Sequence, residues 1–381
     1  MKRSTDRILT THTGSLPRPE GLLALLEAHD QREARSGPDF DARVSVAVQE
    51  IVQKQVAAGI SVVNDGEMSK VGYATYVTER LTGFDGESRT GPPLVEAGQF
   101  PEYFQSRSIG AAIKRPVCTS PIAWRGTAPV QQDLANLKAA VQGVDVAEAF
   151  LTAASPGVVW YFLQNDYYPS DEAYLFAIAD AMKQEYRAVV EAGFVLQLDC
   201  PDLAMGWNHA SFADKSIGDF RTFAELHVDA LNHALGDLPS DRVRLHLCWG
   251  NYEGPHTRDI ALGQIFDIVL KARAQAFSFE GANPRHEHEW KLFRELKLPD
   301  GKILIPGILD STTNFVEHPE LVADRIIRYA QLVGRENVIA GTDCGFSTFA
   351  RSDLRVHPTV TWAKFQALAE GAKLASEQLW G

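Results

Sequence analysis

VRLHLCWG, residues 243–250, is a short apolar run closed by a glycine, the pattern of a buried strand. Side chains alternate between the two faces of a strand, so His246 and Cys248 project from the same one. Two such ligands can grip one metal ion. On this fragment alone, a buried strand that merely carries a histidine and a thiol reads equally well.

Other runs share the design. They are RILTTHTGS (7–15), GISVVNDGE (59–67), FVLQLDCP (194–201), AFSFEG (276–281), KILIPGILD (302–310) and NVIAGTDCG (337–345), with AFLTAASPG (149–157) a weaker member. Helical patterns lie between them. SDEAYLFAIADAMKQEYRAVVEAG (170–193) offers Ser170 as N-cap, acids in its first turn and Gly193 as its stop. Its apolar positions Tyr174, Leu175, Ile178, Met182, Tyr186 and Val189 keep helical spacing. HPELVADRIIRYAQLVG (318–334) repeats the scheme between Pro319 and Gly334. Nearly continuous apolar strands alternating with helices predict a parallel sheet covered on its outside. About eight such units predict an α/β chain closed into a (β/α)8 TIM barrel, with a doubly wound open sheet as the other arrangement. Residues 84–126 break the rhythm: FDGESRTGPPLVEAGQF and RPVCTSPIAWRG carry turn signals without a clear helix. They read as an inserted hairpin region within a single catalytic barrel spanning 1–381.

Composition narrows the function. With 381 residues and 45% hydrophobic content the chain can bury a large core. It has no run of eighteen apolar residues, so no membrane partner is expected, and MKRSTDRILTTHTG lacks the continuous apolar core of a signal peptide. A net charge of −12 without a basic run argues against nucleic acid. The four cysteines, Cys118, Cys200, Cys248 and Cys344, are scattered, which fits reduced thiols in a cytoplasmic protein rather than a disulfide framework.

The reactive residues cluster at strand ends. Thr13 to Ser15, Asp65, Glu67, Asp199, His246, Cys248, Glu280, Asp310, Asp343 and Cys344 all fall at C-terminal ends of expected strands. In a barrel those ends converge on the face where active sites are built. His246, Cys248, Glu280 and Cys344 together suit zinc, since thiolates and imidazole satisfy a borderline-soft ion. Calcium or magnesium would want more oxygens. Taken singly, Cys344 reads as a small buried hydrophobe. Glu67 and Asp199 at one pocket mouth would grip an ammonium group, although each alone reads as a helix cap or a solvated acid. NPRHEHEW (283–290) reads as a solvated loop or helix start rather than a second metal site, and Trp124, Trp160, Trp207 and Trp249 as core or rim packing residues rather than a stack for a flat heterocycle.

Several motifs also carry a family resemblance. TTHTGSLPRP (10–19), VNDGE (63–67), LQLDCP (196–201), LHLCWGN (245–251) and GTDCGFST (341–348) together make the chain resemble the C-terminal catalytic barrel of cobalamin-independent methionine synthase. The family includes single-barrel paralogues and the epoxyalkane:coenzyme M transferases, and its fold is the barrel of the uroporphyrinogen decarboxylase/methionine synthase type. The resemblance implies that His246, Cys248, Glu280 and Cys344 ligate Zn2+ and that Ser15, Glu67 and Asp199 hold the amino-acid part of a thiol. It implies a zinc-dependent methyltransferase, or alkyltransferase, acting on that thiol. The expected reaction is homocysteine S-methylation in the manner of 5-methyltetrahydropteroyltriglutamate–homocysteine S-methyltransferase. The partners are then a small-molecule thiol and a methyl or alkyl donor (a folate, a corrinoid protein or another), and a homo-oligomer is compatible. Addition of a zinc-bound thiolate to an epoxide is the alternative enzyme. A metal-free decarboxylase fits the His-x-Cys strand poorly, and a non-catalytic zinc-binding protein is the alternative outside catalysis.

Two departures stand out. The family's Asp-Glu-Pro is Asp199-Cys200-Pro201 here, and its Asp-x-His-Ser is Asp310-Ser311-Thr312-Thr313. The histidine associated with acid catalysis is therefore replaced by Thr312. Either His12 takes that role beside Asp310, or the donor arrives already activated.

Overall fold

The computed structural model describes residues 1–30, 38–87, 94–106, 115–350 and 354–381. The strands are β1 (Leu9–Thr10), β2 (Val62–Asn64), β3 (Phe84–Asp85), β4 (Val117–Cys118), β5 (Glu148–Ala154), β6 (Val195–Asp199), β7 (Val243–His246), β8 (Ala276–Phe279), β9 (Ile303–Leu309) and β10 (Ile339–Thr342). Eight of them form one sheet in the order β1-β10-β9-β8-β7-β6-β5-β2. Every pairing in it is parallel. At the seam, Ser61 N–H donates to the Thr10 carbonyl and Thr11 Oγ1 to the Val62 carbonyl, each at 3.1 Å, which brings β1 to β2 and makes the sheet a (β/α)8 barrel. β3 and β4 pair antiparallel outside it, Phe84 opposite Cys118. Between them lie short helices, Val95–Gln99 and Pro101–Ser106, in a stretch whose turn signals predict none.

Strand alternation builds two cores. Leu9, Val62, Phe150, Val195, Ala276, Ile303, Ile305 and Ile339 form one apolar cluster inside the barrel. Their neighbours Val63, Leu151, Leu196, Leu245, Phe277, Leu304 and Ala340 join the helices in the outer core. Along β6, the residues that follow Val195 at a period of two are Gln197 and Asp199, so the same face turns from apolar to polar. Register sets Gln197 beside Arg244 and Asp199 beside His246. Arg244 is buried over the Phe150 ring, 3.5 Å from its centre, and donates to Gln197 Oε1, Thr11 Oγ1 and the His12 carbonyl. Its donors are thus met by acceptors, which a buried guanidinium requires. Gln197 Nε2 donates in turn to Asp199 Oδ1 at 2.8 Å. A polar layer therefore sits on the apolar plug and aims the residues above it.

The surrounding helices follow their punctuation. Ser170 caps Asp171–Glu191 by accepting from Ala173 N–H, and Pro319–Val333 ends at Gly334 with φ 89°. No helix among the described residues is long and apolar enough to cross a membrane.

Candidate metal centre and substrate cavities

Ligand atoms of His246, Cys248 and Cys344 lie within 4.8 Å of one another. The two sulfurs are 3.7 Å apart. His246 Nδ1 lies 3.2 Å from Ser278 Oγ, while Nε2 is buried without a hydrogen-bond partner. The tautomer in which Nδ1 donates to the hydroxyl leaves Nε2 a lone pair, the arrangement in which an outer partner orients a metal-binding imidazole. Burial lowers the His246 pKa to about 3, which keeps the ring neutral. The Cys248 thiol is pushed up by its hydrogen bond with Cys344 and by burial. An orphaned buried nitrogen beside two close sulfurs fits a cation, which would receive the lone pair and favour the thiolates.

Glu280 is not among the three. Its Oε1 accepts from Trp249 N–H and its Oε2 from Asn283 Nδ2, both at 2.8 Å. The same Asn283 amide donates to Asp343 Oδ2, and Asp343 also accepts from the N–H groups of Gly281, Ala282 and Asn283. Asp343 thus shapes the turn after β8 and, through Asn283, holds Glu280 in place.

A cavity of about 260 Å³ lies over these sulfurs. Ser15, Glu67, Asp199, His246, Cys248 and Cys344 line it, with a wall of Tyr73, Tyr161, Phe162, Tyr252 and Phe349. Glu67 is aimed by a strained backbone, φ 57°, a region costing about 1–3 kcal/mol for a non-glycine residue. Asp65 Oδ1 supports that turn by accepting from Glu67 N–H at 3.0 Å. Glu67 Oε1 accepts from Thr152 Oγ1, whereas Oε2 has no hydrogen-bond partner and lies 3.7 Å from Arg18. Gly14 is required here: at φ 140° a Cβ would come 2.6 Å from Thr152 Cγ2 and 3.2 Å from Glu67 Oε1. Burial and the Glu67 charge raise the Asp199 carboxyl to about 8. At neutral pH Asp199 is therefore largely protonated until a cation joins it.

A second cavity, about 360 Å³, lies on the other side of Asn251 and is lined by Glu280, Asp310, Thr312, Arg285 and Asp343. Cys344 and Asn251 border both cavities. Asn251 Nδ2 donates to the Gly345 carbonyl and Thr348 Oγ1, and its Oδ1 accepts from Ser311 Oγ, so it pins the partition. The site residues expected from sequence are thus divided, with Cys344 at the junction. Asp310 accepts from the N–H and hydroxyl of both Thr312 and Thr313, so its oxygens are occupied by its own turn.

His12 lines neither cavity. Its Nε2 pairs with Gln55 Oε1 at 2.8 Å, its Nδ1 accepts from Gly14 N–H, and its ring packs against Phe150 and Phe365. Burial lowers its pKa to about 3. A buried histidine occupied at both nitrogens and outside both cavities is poorly placed to hand on a proton. Cys200 is a packed residue, 1% exposed, with its thiol against the Leu198 carbonyl. His286 is buried between Asp259 and Glu289 and stacked on Trp249. Burial lowers its pKa, but the bonds to those acids outweigh this and raise it to about 10. It belongs to an ion-paired support for the β7 loop.

Sequence reasoning missed the aromatic wall, Asn251 as a partition, and Arg115, whose guanidinium lies over Phe162 and Phe349. Tyr161 and Phe162 end the helix Pro156–Phe162, Asn251 closes the LHLCWGN motif without being marked there as a partition, and the others come from loops and the inserted region, where no period marks them.

Residues 8–360 match the family described as cobalamin-independent synthase, catalytic domain. A methionine synthase of Saccharolobus solfataricus is 26% identical over 375 residues, covering 97% of this chain and 95% of that one. One of Sulfurisphaera tokodaii is 23% identical over 375 residues, covering 97% and 93%. Among solved structures, a B12-independent methionine synthase from a Shewanella species, in complex with selenomethionine, superposes with a TM-score of 0.73 at 20% identity. That match covers 98% of this chain and 99% of the other, and at such identity it speaks to the fold alone.

Proposed function

The chain belongs to the family of cobalamin-independent synthase catalytic domains, and on that premise we propose that it is a zinc-dependent transferase moving a methyl group onto a thiol, with homocysteine as acceptor. The carrying observation is the buried, unpartnered Nε2 of His246 beside two cysteines on the floor of a cavity with two buried acids. His246, Cys248 and Cys344 would hold the ion, and Glu280, hydrogen-bonded to Cys248, is kept as the fourth proposed ligand. The two-sulfur, one-imidazole set favours zinc over magnesium or calcium. When bound, zinc lowers the pKa of a coordinated thiol, so that a thiolate nucleophile exists at neutral pH.

The chain's own groups do the rest. Glu67 and Asp199 hold the acceptor's ammonium, at Oε2 of Glu67, which is ion-paired with Arg18 but accepts no hydrogen bond. Ser15 adds a hydroxyl on the same cavity wall. The donor enters from the second cavity, which meets the first at Cys344. That cavity presents Thr312 where the family has a histidine, and the Thr312 hydroxyl already donates to Asp310. The cavity's own imidazole, His256, is engaged at both nitrogens by Asp259 and the Tyr252 carbonyl, so it is not offered as the acid for the leaving group. The donor is therefore one whose leaving group departs without protonation, such as a sulfonium or a methylated corrinoid.

Metal analysis tests the reading. The purified protein should carry about one zinc per chain, and a preparation loaded with zinc should convert homocysteine to methionine with at least one activated donor. Full folding and turnover in chelator-stripped protein would overturn it.

A further inference from the structure

The SLPR stretch that follows β1 ends in a buried arginine whose bonds reach the three turns that carry Ser15, Glu67 and Cys344. Arg18 is 7% exposed. Its Nη2 donates to the Glu67 carbonyl at 2.9 Å and to the Lys70 carbonyl at 3.1 Å. Its Nη1 donates to the Leu16 carbonyl and to that of Ser347, in the turn just past Cys344. Backbone bonds run alongside: Leu16 N–H donates to the Gly66 carbonyl at 3.1 Å, and Phe346 N–H to the Ser15 carbonyl at 2.9 Å. Gly345 packs so closely that a Cβ there would come 2.0 Å from Ser15 Oγ. Residues 15–18 thus bridge the turn after β2 and the turn after β10. A guanidinium suits that place because its donors lie in one plane and point apart, which the single nitrogen of a lysine cannot reproduce. Within this bridge Glu67 takes its left-handed backbone, φ 57°, with its carbonyl gripped by Nη2 and its Oε2 3.7 Å from the same nitrogen. An arginine that holds both the backbone and the side chain of one residue fixes where its carboxylate points.

We propose that Arg18 is a positioning residue that aims the Glu67 carboxylate at the acceptor's ammonium by tying its turn to the turn that follows Cys344. The inference rests on the thiol-transfer reading and deepens it: recognition of the amine and of the sulfur share one frame. Arg18 lines neither cavity, so it acts through Glu67. Its loss therefore costs amine recognition no more than the loss of the Glu67 charge does.

Calorimetric titration of the zinc-loaded protein with homocysteine and with 4-sulfanylbutanoate, a thiol without the amine, tests this. Arg18→Lys keeps the charge but loses the planar fork, and should raise the Kd of homocysteine about threefold to tenfold. Zinc content and the binding of 4-sulfanylbutanoate should stay at their wild-type values, which would show that the cavity remains folded. Arg18→Gln tests the sign. Removing a cation beside the ammonium would by charge alone tighten homocysteine, whereas a misdirected Glu67 weakens it, and weakening is expected. In a Glu67→Gln background neither substitution should weaken homocysteine further, because the group that Arg18 aims has lost its charge. Unchanged homocysteine binding in both variants, or tighter binding in Arg18→Gln, would overturn the positioning role while leaving thiol transfer standing. Equal losses for the two thiols, or losses that add to that of Glu67→Gln, would do the same. Failure of both thiols to bind the wild type would overturn both readings.

Discussion

Replacing Glu67 by glutamine separates the recognition of the acceptor's amine from the recognition of its sulfur. The substitution keeps shape and volume, which matters because Glu67 sits at φ 57° with its N–H held by Asp65. Its Oε1 already accepts from Thr152, so the ammonium of a bound amino acid would meet Oε2, which is buried and lacks a hydrogen bond. A hydrogen bond to a charged group contributes about 1.5–3 kcal/mol, equivalent to about 10- to 150-fold in affinity. A full Coulomb term at 4 Å and an effective dielectric of 20, about 4 kcal/mol, sets the ceiling. Asp199 moderates the loss. Its carboxyl stands near 8, raised first by burial and then by the Glu67 charge. Removing that charge lets Asp199 ionise and take over part of the cation. The single variant should therefore lie near the lower end, about a tenfold rise in Kd for homocysteine at pH 7. Adding Asp199→Asn should carry the loss toward the upper end. The assay is calorimetric titration of the zinc-loaded proteins with homocysteine and with 4-sulfanylbutanoate, which keeps thiol and carboxylate but lacks the amine. Glu67→Gln should leave the second ligand unchanged or slightly tighter. Equal losses for both ligands would refute the reasoning, because Glu67 would then act through the shape of the cavity rather than on the ammonium.

Three other outcomes follow from the geometry. Cys248→Ser and Cys344→Ser should each lose most of the bound zinc in metal analysis while keeping the wild-type circular dichroism; full zinc occupancy in both would remove them from the ligand set. Thr312→His should raise turnover of a methylated folate by about 10²- to 10⁴-fold and leave a sulfonium donor unaffected, whereas a wild type already rapid with the folate would contradict the missing-acid account. His12 is neutral and buried with a pKa near 3, against about 6.5 unfolded, so the unfolded chain binds the proton first and stability falls as pH drops below 6.5. Between pH 7.5 and 5.5 this group removes about 1.4 kcal/mol, so His12→Gln should show a urea-unfolding pH dependence shallower by that amount, and identical dependences would place a titrating imidazole at position 12.

The barrel is legible because parallel strands put their chemistry at one end. A period of two sets His246 and Cys248 on a common face, and Cys344 meets them from the end of β10. AFLTAASPG is a weak strand signal because alanines replace the usual β-branched residues. It nevertheless forms seven residues of strand, since β2 and β6 pair with it on both sides and its interior is buried. The helices Val95–Gln99 and Pro101–Ser106 are too short, at five and six residues, to show periodicity. His12 is hard to read for a different reason: its place near a strand end says nothing about Gln55 and Gly14, which occupy its nitrogens. Nor does sequence order show that Glu280, Asp310 and Thr312 line a different cavity from Glu67 and Asp199, because Asn251 divides them only once the loops after β7, β9 and β10 have folded together. Arg115, Phe162 and Phe349 are separated by long stretches of chain, and each alone reads as a packing residue.

The central claim is that His246, Cys248 and Cys344 hold a zinc ion at which an acceptor thiol is activated. Zinc K-edge absorption of the loaded protein, titrated with homocysteine, addresses it most directly. The account predicts that the sulfur neighbours rise from two, the sulfurs of Cys248 and Cys344, to three at saturation, with about one proton released per site as the thiol binds in its thiolate form. A zinc shell that stays unchanged while homocysteine saturates the protein would contradict it.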